Sequence, residues 1–420
     1  MARTLALAAT GFVATAVAFG PARMGYGLFL PGFRETFALS TAGAGAIAGL
    51  GFLAFLLALP LTAWLGQRVG QRLPVVLGAL AASAGFALVA SASGTAWLAS
   101  GIALAGASAG FCWAPFNDAA EAIVPEASRS GALSAVSTGT SAGVVAAAAL
   151  FLFVASGAVD WRAAWGIFAL AAVIAAAMAL RTVPGGRAGT GMPDRPRLLR
   201  RPALPLYAAA ICFGASNAVY LSFAADHLVS QGGLAGLPDR AAPAVIFLAY
   251  GSFGLLGLAT GRLERVLGLP ALLSAIFAAF TASLVLIALA PGAWWALLLS
   301  AGLHGAAVMT VSAALAFWSL RLFPGRGTLG MTAGLVAVAA SSVAAPALAG
   351  AFAEAANLEA AFLVTAAVPL AATLGFAQRA RRQRTWSLGP KRKRPRSISG
   401  AGAGSSRPAG GGGERDEFPL

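Results

Sequence analysis

A single arginine interrupts a long apolar stretch near the beginning of the chain. The stretch AVAFGPARMGYGLFLPGF, residues 16–33, carries Arg23 as its only charge. If the stretch is helical, Arg23 lies about 12 Å before Pro31, close to the middle of a bilayer. A guanidinium there costs at least about 2.5 to 3.5 kcal/mol, so we expect it to face water, carbonyl oxygens or an anion. Two roles follow: a structural arginine bound to carbonyl or amide oxygens, or a site whose planar N–H groups bind a carboxylate.

Two histidines are the next candidates for chemistry. His304 follows Ala293 by about 16 Å of helix, which again places it near the middle of a bilayer. Imidazole titrates near neutral pH, so a histidine at this depth could carry a coupled proton or contact a solute. The alternative is a packed, neutral histidine held by a hydrogen bond. His227, beside Asp226, is interpreted as a solvated residue at the end of its helix.

Asp118 and Glu121 form a pair of acids in the stretch APFNDAAEAIVP. Because they are three residues apart, they share one helix face. Paired carboxylates in a membrane can relay protons. However, some 30 Å of helix separate them from Trp97, which places them at the far end of that helix. We therefore expect salt bridges that close a gate there, with proton coupling as the alternative. The expected partners are Arg68, Arg72 and Arg129.

The composition places these residues in an integral membrane protein. Of the 420 residues, 59% are hydrophobic and 10% are charged, whereas globular chains carry about 25% charged residues. Abundant Ala and Gly favour closely packed helices rather than a barrel. Cys112 and Cys212 match no metal or redox spacing. With no nucleotide-binding glycine loop and only two histidines for a catalytic set, we expect no metal, no cofactor and no enzyme. The net charge of +15 falls in loops and tail, which does not indicate a nucleic-acid partner.

Twelve apolar segments of about 20 residues are each long enough to cross a bilayer. The predicted fold class is therefore an all-α membrane protein with twelve transmembrane helices. Six helices precede a polar stretch and six follow it. The predicted helices begin near Leu5, Thr41, Pro74, Trp97, Gly131, Trp161, Ala203, Ala242, Leu267, Ala293, Gly327 and Asn357.

The basic residues fall mainly on one side of these helices. Fourteen lie on the side of the N-terminus before the tail, and only Arg34, Arg162 and Arg240 lie on the other. Because cytoplasmic loops collect Lys and Arg, both termini are expected in the cytoplasm. Residues 1–181 and 203–377 are predicted as two six-helix lobes, joined by a cytoplasmic linker, 182–202, that is rich in Pro, Gly and Arg. The basic tail, 378–420, is predicted to be disordered and to rest on anionic lipid.

The two halves look like copies of one unit. An offset of 194 residues aligns the pattern F-G-x5-Y-x2-F of helix 1 with that of helix 7 and pairs Arg23 with Asn217. The glycines of Gly139-x3-Gly143 are matched to Gly330-x3-Gly334, and WLGQRVGQRLP is echoed by LATGRLERVLGLP. Duplicated six-helix halves are typical of secondary transporters, which hold their solute near the bilayer midplane between the lobes.

Over residues 5–376 the chain resembles the major facilitator superfamily. The resemblance rests on the twelve helices, the basic central loop and the stretch Arg68-Val69-Gly70-Gln71-Arg72, although Gln67 stands where the family has an aspartate. The pattern Gly20-x2-Arg23-x2-Tyr26-x4-Pro31 is similar to the first helix of a branch of largely uncharacterised bacterial permeases. The resemblance implies two pseudo-symmetric six-helix lobes, with helices 1, 4, 7 and 10 around a central cavity.

That fold makes the polar and aromatic residues of these four helices candidates for the substrate site. Arg23 would bind an anion, Asn217 would face it from the other lobe, and the aromatic residues would either contact the solute or pack between lobes. The candidates are Arg23, Tyr26, Trp113, Asn217, Tyr220 and His304. The candidates for gate and coupling are Arg68, Arg72, Asp118 and Glu121.

We therefore predict a secondary active transporter of a small organic solute, expected to be anionic, with proton coupling or exchange. Alternating access between the lobes would move the solute. The resemblance implies a monomer in the bacterial inner membrane. The alternatives are a drug or metabolite efflux permease on the same scaffold, and a membrane sensor or assembly protein that transports nothing.

Overall fold

The computed structural model describes residues 2–186, 200–323 and 327–388. Every regular element in these residues is a helix, and twelve helical spans are long and apolar enough to cross a membrane. They confirm the predicted fold class. In chain order, spans 1 to 12 are Ala2–Phe37, Thr41–Val69, Arg72–Ala90, Thr95–Ile123, Glu126–Ala155, Trp161–Thr182, Arg201–Ser230, Asp239–Leu267, Leu269–Leu289, Trp294–Ser319, Gly330–Ala355 and Leu358–Arg382.

The predicted helix starts lie close to the observed ones. The largest difference is at span 5, predicted from Gly131 and observed from Glu126. The extra turn contains Glu126 and Arg129, whose charges hid it from a search for apolar segments. Residues 187–199 of the predicted linker lie outside the described residues. The predicted tail begins as a continuation of the helix Leu358–Leu388, and residues 389–420 lie outside those described.

The helices pack in two equivalent sets. In spans 1–6 the main packed pairs are spans 1 with 5, 2 with 4, 3 with 4, and 3 with 6. In spans 7–12 the pairs are 7 with 11, 8 with 10, 9 with 10, and 9 with 12, which is the same pattern six spans later. Spans 2 with 11, 5 with 8, and 1 with 7 join the sets. We call the two sets the first half and the second half.

Each half turns the chain with a glycine after its second helix. Gly70 ends span 2 with φ of 87°, and Gly268 follows span 8 with φ of 76°. Positive φ is costly for a residue with a Cβ, so glycine is the suited residue at both positions. These glycines belong to the two echoing stretches of the sequence, which therefore end their helices in the same way.

Spans 1 and 4 are interrupted just before residues of interest. Span 1 consists of the helices Ala2–Phe19 and Pro21–Phe37, which meet at Gly20. Proline lacks a backbone N–H, so Pro21 weakens the continuity of the helix at this point. Span 4 is likewise interrupted after Gly110, and its second helix begins at Trp113. Arg23 and Trp113 are thus presented from the first turn after a break.

The two halves touch on one side of the molecule. We call the side with Arg68, Arg72, Arg129, Arg181 and Arg321 the basic face, and the other side the opposite face. Towards the opposite face, a Cβ on Gly27 of span 1 would overlap the carbonyl oxygen of Leu221 in span 7. A Cβ on Gly45 of span 2 would overlap the carbonyl oxygen of Pro346 in span 11. At this face the backbones of the two halves are therefore in direct contact, with no side chain between them.

Gly27→Ala is expected to prevent this closure, because the new methyl group needs the space of the Leu221 carbonyl. The distance between the halves at this face would be measured by double electron–electron resonance spectroscopy. The spin labels would be placed at Glu35 and Gln231 in a variant without native cysteines. Gly27→Ala should lengthen the distance between the labels. Gly32→Ala is the matched control, because a Cβ on Gly32 in the same span meets no atom within 4 Å. Equal distances in both variants would contradict the prediction.

Candidate functional site

A central cavity lies between the halves. It contains about 890 Å³ of space free of protein atoms, part of it open to the outside. Spans 1, 2, 4 and 5 line it from the first half, and spans 7, 10 and 11 from the second. The wall is mostly apolar; its larger side chains are Phe19, Met24, Phe55, Leu59, Trp113, Phe213, Val308, Met309, Leu335 and Val338. Its polar members are Arg23, Thr62, Thr140, Asn217, Ser312 and Thr332.

Arg23 is the one charged side chain among the described residues of this wall. Its guanidinium carbon lies 4.7 Å from the ring centre of Phe55, 5.4 Å from that of Phe52 and 5.7 Å from that of Phe19. Aromatic faces at such distances attract a cation. Within the described chain no carboxylate or carbonyl oxygen accepts a hydrogen bond from Arg23. The site is therefore an aromatic cage rather than the cluster of carbonyl oxygens that a structural arginine would need.

A smaller pocket lies on the other side of Arg23, between spans 1, 2, 4 and 7; it contains about 430 Å³ of space free of protein atoms, part of it open to the outside. Tyr26 lines it, and its hydroxyl donates to the carbonyl oxygen of Ala44 at 2.9 Å. Ser222 lines it from the second half. Arg23 borders both spaces. Tyr26 thus lies near the arginine, but its hydroxyl is already engaged.

Asn217 lines the central cavity from the second half, in the same wall as Arg23. It is 2% exposed, and its Oδ1 accepts a hydrogen bond from the hydroxyl of Tyr250 at 3.3 Å. The structure therefore brings together the two residues that the repeat had paired. Tyr250 was missed by the sequence interpretation, although it is one of only four tyrosines and lies in an apolar segment.

Trp113 also lines the cavity, and its ring meets that of Phe19 edge to face at a centroid distance of 5.7 Å. Phe19 in turn contacts Arg23. Trp113 therefore supports the aromatic cage from span 4 while keeping a face in the cavity wall. Four of the six predicted substrate residues, Arg23, Tyr26, Trp113 and Asn217, thus line the two spaces that Arg23 borders.

The other two, Tyr220 and His304, lie inside the second half and line neither space. Their rings stack with centroids 3.8 Å apart. The Tyr220 hydroxyl lies 3.2 Å from Ser300 Oγ, and His304 Nδ1 lies 3.0 Å from Ser283 Oγ. His304 Nε2 is buried and has no hydrogen-bond partner among the described residues. The Tyr250 ring, 6.1 Å from His304, separates this cluster from Asn217 and the cavity.

His227 is not the solvated residue that its position near a helix end suggested. It is 1% exposed, packs against Phe362, and its Nε2 lies 3.3 Å from the Ala288 carbonyl oxygen. Span 7 continues to Ser230, so His227 lies within the helix and faces spans 9 and 12. The interpretation was wrong because it treated neighbouring polar residues as a sign of the helix end.

Two polar contacts join the halves at the opposite face. Arg34 at the end of span 1 forms an ion pair with Asp226 of span 7, and its Nε donates to Leu39 O at 3.2 Å. Glu354 at the end of span 11 accepts from the Ala42 backbone N–H of span 2 at 2.9 Å. Of the hydrogen bonds and ion pairs between described residues, these two join the halves. We call them the opposite-face latch.

The sequence profile of the Major Facilitator Superfamily matches residues 11–317. The chain belongs to the Major Facilitator Superfamily. It is a multi-pass membrane transporter of small solutes, not an enzyme. No match was found among curated proteins.

Solved structures of superfamily transporters share the fold. A POT family transporter in complex with a thioalcohol-conjugated peptide has a TM-score of 0.74 at 13% identity, covering 90% of this chain and 96% of its own. The nucleoside transporter NupG has a TM-score of 0.69 at 12% identity, covering 90% and 99%. A bacterial homologue of the human lysosomal transporter Spinster, inward-facing and occupied, has a TM-score of 0.66 at 17% identity, covering 90% and 96%. At these identities the likeness is one of fold.

In this superfamily member the predicted gate residues lie beyond the cavity, at the basic face. Asp118 accepts a hydrogen bond from Gln71 Nε2 at 3.0 Å, rather than from an arginine. Arg72 Nε donates to the Val183 carbonyl oxygen at 2.8 Å, at the end of span 6. Arg129 reaches the backbone oxygen of Glu121, not its carboxylate.

The described ion pairs therefore do not include the predicted gate salt bridges. The reason is local: Gln71 occupies the place next to Asp118, and Arg72 is directed towards span 6. Arg68 lies over the ring of Trp64, 4.6 Å from its centre. The contacts described for the four predicted gate residues lie within the first half; these residues are Arg68, Arg72, Asp118 and Glu121.

Proposed function

We propose that this chain moves a small organic anion by alternating access, with Arg23 as the residue that binds the negative charge. The carrying observation is the caged guanidinium of Arg23, which borders both spaces and has no oxygen partner among the described residues. A guanidinium with free N–H groups in an apolar wall is a strong site for a carboxylate. The described wall contains no acidic side chain to compete with that ligand or to attract a cation.

The distribution of basic residues supports an orientation with the basic face in the cytoplasm of a bacterial inner membrane. In that orientation the described conformation is inward-facing. The cavity extends from Arg23 towards the basic face as far as Ala63 and Ala114, while the latch closes the opposite face. We propose that Asp118, Glu121, Arg68 and Arg72 pair across the gate when the basic face closes. We also propose that the protein is a monomer and that its basic tail contacts anionic lipid.

Proton coupling is the second part of the proposal, and His304 is its candidate residue. Its Nε2 has no partner among described residues, and the groups around it are Ser283 and Tyr220 and, one ring further, Tyr250. Tyr250 binds Asn217, which lines the cavity. A proton on His304 would therefore affect the substrate site through Tyr250, which is hydrogen-bonded to Asn217. The unpartnered Nε2 is the atom on which such a proton would be bound.

His304→Gln is expected to abolish accumulation driven by a proton gradient while leaving exchange of the solute across the membrane intact. Glutamine keeps a hydrogen bond to Ser283 but carries no proton at neutral pH. Uptake into liposomes with and without an imposed pH gradient measures the two activities. His227→Gln is the matched control, because His227 is also buried in the second half and also has an unpartnered nitrogen. Gradient-driven accumulation that survives in His304→Gln would contradict the assignment.

An efflux permease for apolar compounds is the second candidate function, and the mostly apolar cavity wall favours it. The two functions separate in liposomes that contain a pH-sensitive dye. Organic anions should drive proton flux, and their neutral amides should not; protein-free liposomes correct for passage of the protonated acids. Flux with neutral apolar compounds and none with anions would favour efflux and overturn the anion proposal.

A further inference from the structure

We infer that the substrate is an amphipathic monocarboxylate, whose carboxylate binds between Arg23 and Ser222 and whose apolar body lies in the central cavity. The inference rests on the proposed anion transport and adds the class of ligand. It follows from the difference between the two spaces that Arg23 separates. We call the 430 Å³ space the head pocket and keep the name central cavity for the larger one.

The head pocket is built for a small polar group. Much of its wall is formed by residues with little or no side chain, including Ala22, Gly27, Ala48, Gly51 and Gly106. Arg23 provides the positive charge, and the rings of Phe52 and Phe55 in the same wall contact its guanidinium. Three phenyl rings occupy much of the surface of the guanidinium, so a single carboxylate is the group that its remaining N–H edge can bind.

Ser222 supplies the contact from the second half. It is 3% exposed and lines the head pocket, and no described residue forms a hydrogen bond with its hydroxyl. An acceptor that enters the pocket can therefore take the hydrogen bond that this hydroxyl is free to donate. A carboxylate oxygen is such an acceptor. Arg23 and Ser222 come from different halves, and a carboxylate between them would connect spans 1 and 7.

The charge of the wall restricts the rest of the ligand. Among the described residues, neither space contains a second cation, so a second carboxylate would lie unpaired against apolar side chains. Neither contains an acidic side chain, so the ammonium group of an amino acid would also lack a partner. An unpaired buried charge costs several kcal/mol, which disfavours dicarboxylates and amino acids alike. The ligand class that fits both spaces is therefore a single carboxylate on a neutral body.

The body of the ligand is expected to be apolar, because the central cavity presents Phe55, Trp113, Phe213, Met309 and Leu335. Each methylene group that leaves water for such a wall strengthens binding about fourfold. Affinity should therefore rise with chain length in a homologous series, as long as the added groups still contact the cavity wall.

The test is equilibrium binding to the purified full-length protein by isothermal titration calorimetry. The probes are straight-chain monocarboxylates of two to six carbons, the dicarboxylates of equal length and the corresponding primary alcohols. The Kd of the monocarboxylates should fall about fourfold per methylene. Dicarboxylates should bind at least about tenfold more weakly than monocarboxylates of the same length, since one charge is unpaired. Alcohols should not bind measurably.

Ser222→Ala should weaken binding of every monocarboxylate about tenfold, because one hydrogen bond to a charged group is lost. Ser216→Ala is the matched control; Ser216 is buried in the same span, its hydroxyl has no partner among described residues, and it lines neither space. Equal binding of dicarboxylates, or affinity independent of chain length, would overturn the monocarboxylate class. Unchanged binding in Arg23→Ala would instead overturn the proposed anion site, so the two failures are distinguishable.

Discussion

Arg23→Ala is expected to abolish anion-dependent transport and to leave the stability of the protein almost unchanged. The loss of transport follows from removing the one cation of the described cavity wall. Two charge-assisted hydrogen bonds to a carboxylate are worth about 3 to 5 kcal/mol, so affinity should fall at least about 100-fold. The stability should survive because Arg23 binds no described oxygen, and only its contacts with three rings are lost.

Arg23→Lys refines this result. Lysine keeps the charge but offers a point-like ammonium in place of the planar fork, so transport should persist with about tenfold weaker affinity. Uptake kinetics in liposomes give the affinity, and thermal unfolding in detergent gives the stability. A structural arginine would produce the reverse pattern, with a large fall in Tm and normal transport in the molecules that fold. That pattern would contradict the anion site.

The sequence was sufficient for the fold and for placing Arg23 within span 1, because both depend on quantities that are local in the chain. Apolar length sets the number of spans, and rise per residue sets the depth of Arg23 in span 1. The aromatic cage was not predictable in the same way. Phe52 and Phe55 belong to span 2, and only the packing of spans 1 and 2 shows that their faces meet the guanidinium.

The direction of each side chain around its helix decides which of the predicted substrate residues line the cavity. Asn217 and Tyr220 are three residues apart in span 7, and both were assigned to the cavity. In the structure Asn217 lines it, whereas Tyr220 is directed into the second half towards Ser300. An assignment by span identifies the helix but not the direction of each side chain. Two residues three positions apart differ by about 60° around the helix axis, which is enough to direct one into the cavity and the other into the packed half. Internal hydrogen bonds hold Tyr220 at Ser300 and the Nδ1 atom of His304 at Ser283, away from the cavity.

The offset of the repeat aligns the close helix contacts of the two halves better than the glycine motif does. Gly20 packs against Gly143, and its equivalent Gly214 packs against Val338. Positions 143 and 338 differ by 195, close to the overall offset of 194, whereas the motif match paired Gly143 with Gly334. Close helix contact is thus kept at the equivalent place, although the glycine itself is not. A Cβ on Gly334 would meet no atom within 4 Å.

The same offset would have indicated the opposite-face latch. Arg34 and Asp226 differ by 192 positions, so two opposite charges lie at nearly equivalent ends of spans 1 and 7. Helices 1 and 7 face each other in a duplicated transporter, and charges at their matching ends meet when that end closes. The sequence interpretation counted Arg34 only as a basic loop residue, which is why the pair was missed.

Asp226→Asn is expected to shift the protein towards a state that is open at the opposite face. The pair is partly buried, with the Arg34 side chain 30% exposed and that of Asp226 7% exposed. Its contribution should therefore lie between that of exposed and of fully buried pairs, about 1 to 3 kcal/mol. Because the pair exists only when the two halves meet at this face, its loss changes the ratio of closed to open molecules by roughly 5- to 150-fold.

Charge exchange separates an effect on the conformational equilibrium from simple damage to the protein. Arg34→Asp alone places two acids against each other and should open the opposite face further than Asp226→Asn does. The double variant Arg34→Asp with Asp226→Arg restores a pair of opposite charges and should restore closure, as seen by the distance between spin labels on Glu35 and Gln231. The carboxylate of Glu354 at the Ala42 N–H is untouched in all three variants, so it serves as a common background. If closure were equal in the wild type and in Arg34→Asp, the halves would be held at this face by the Glu354 hydrogen bond and the glycine contacts of spans 1, 2, 7 and 11, without a contribution from the ion pair.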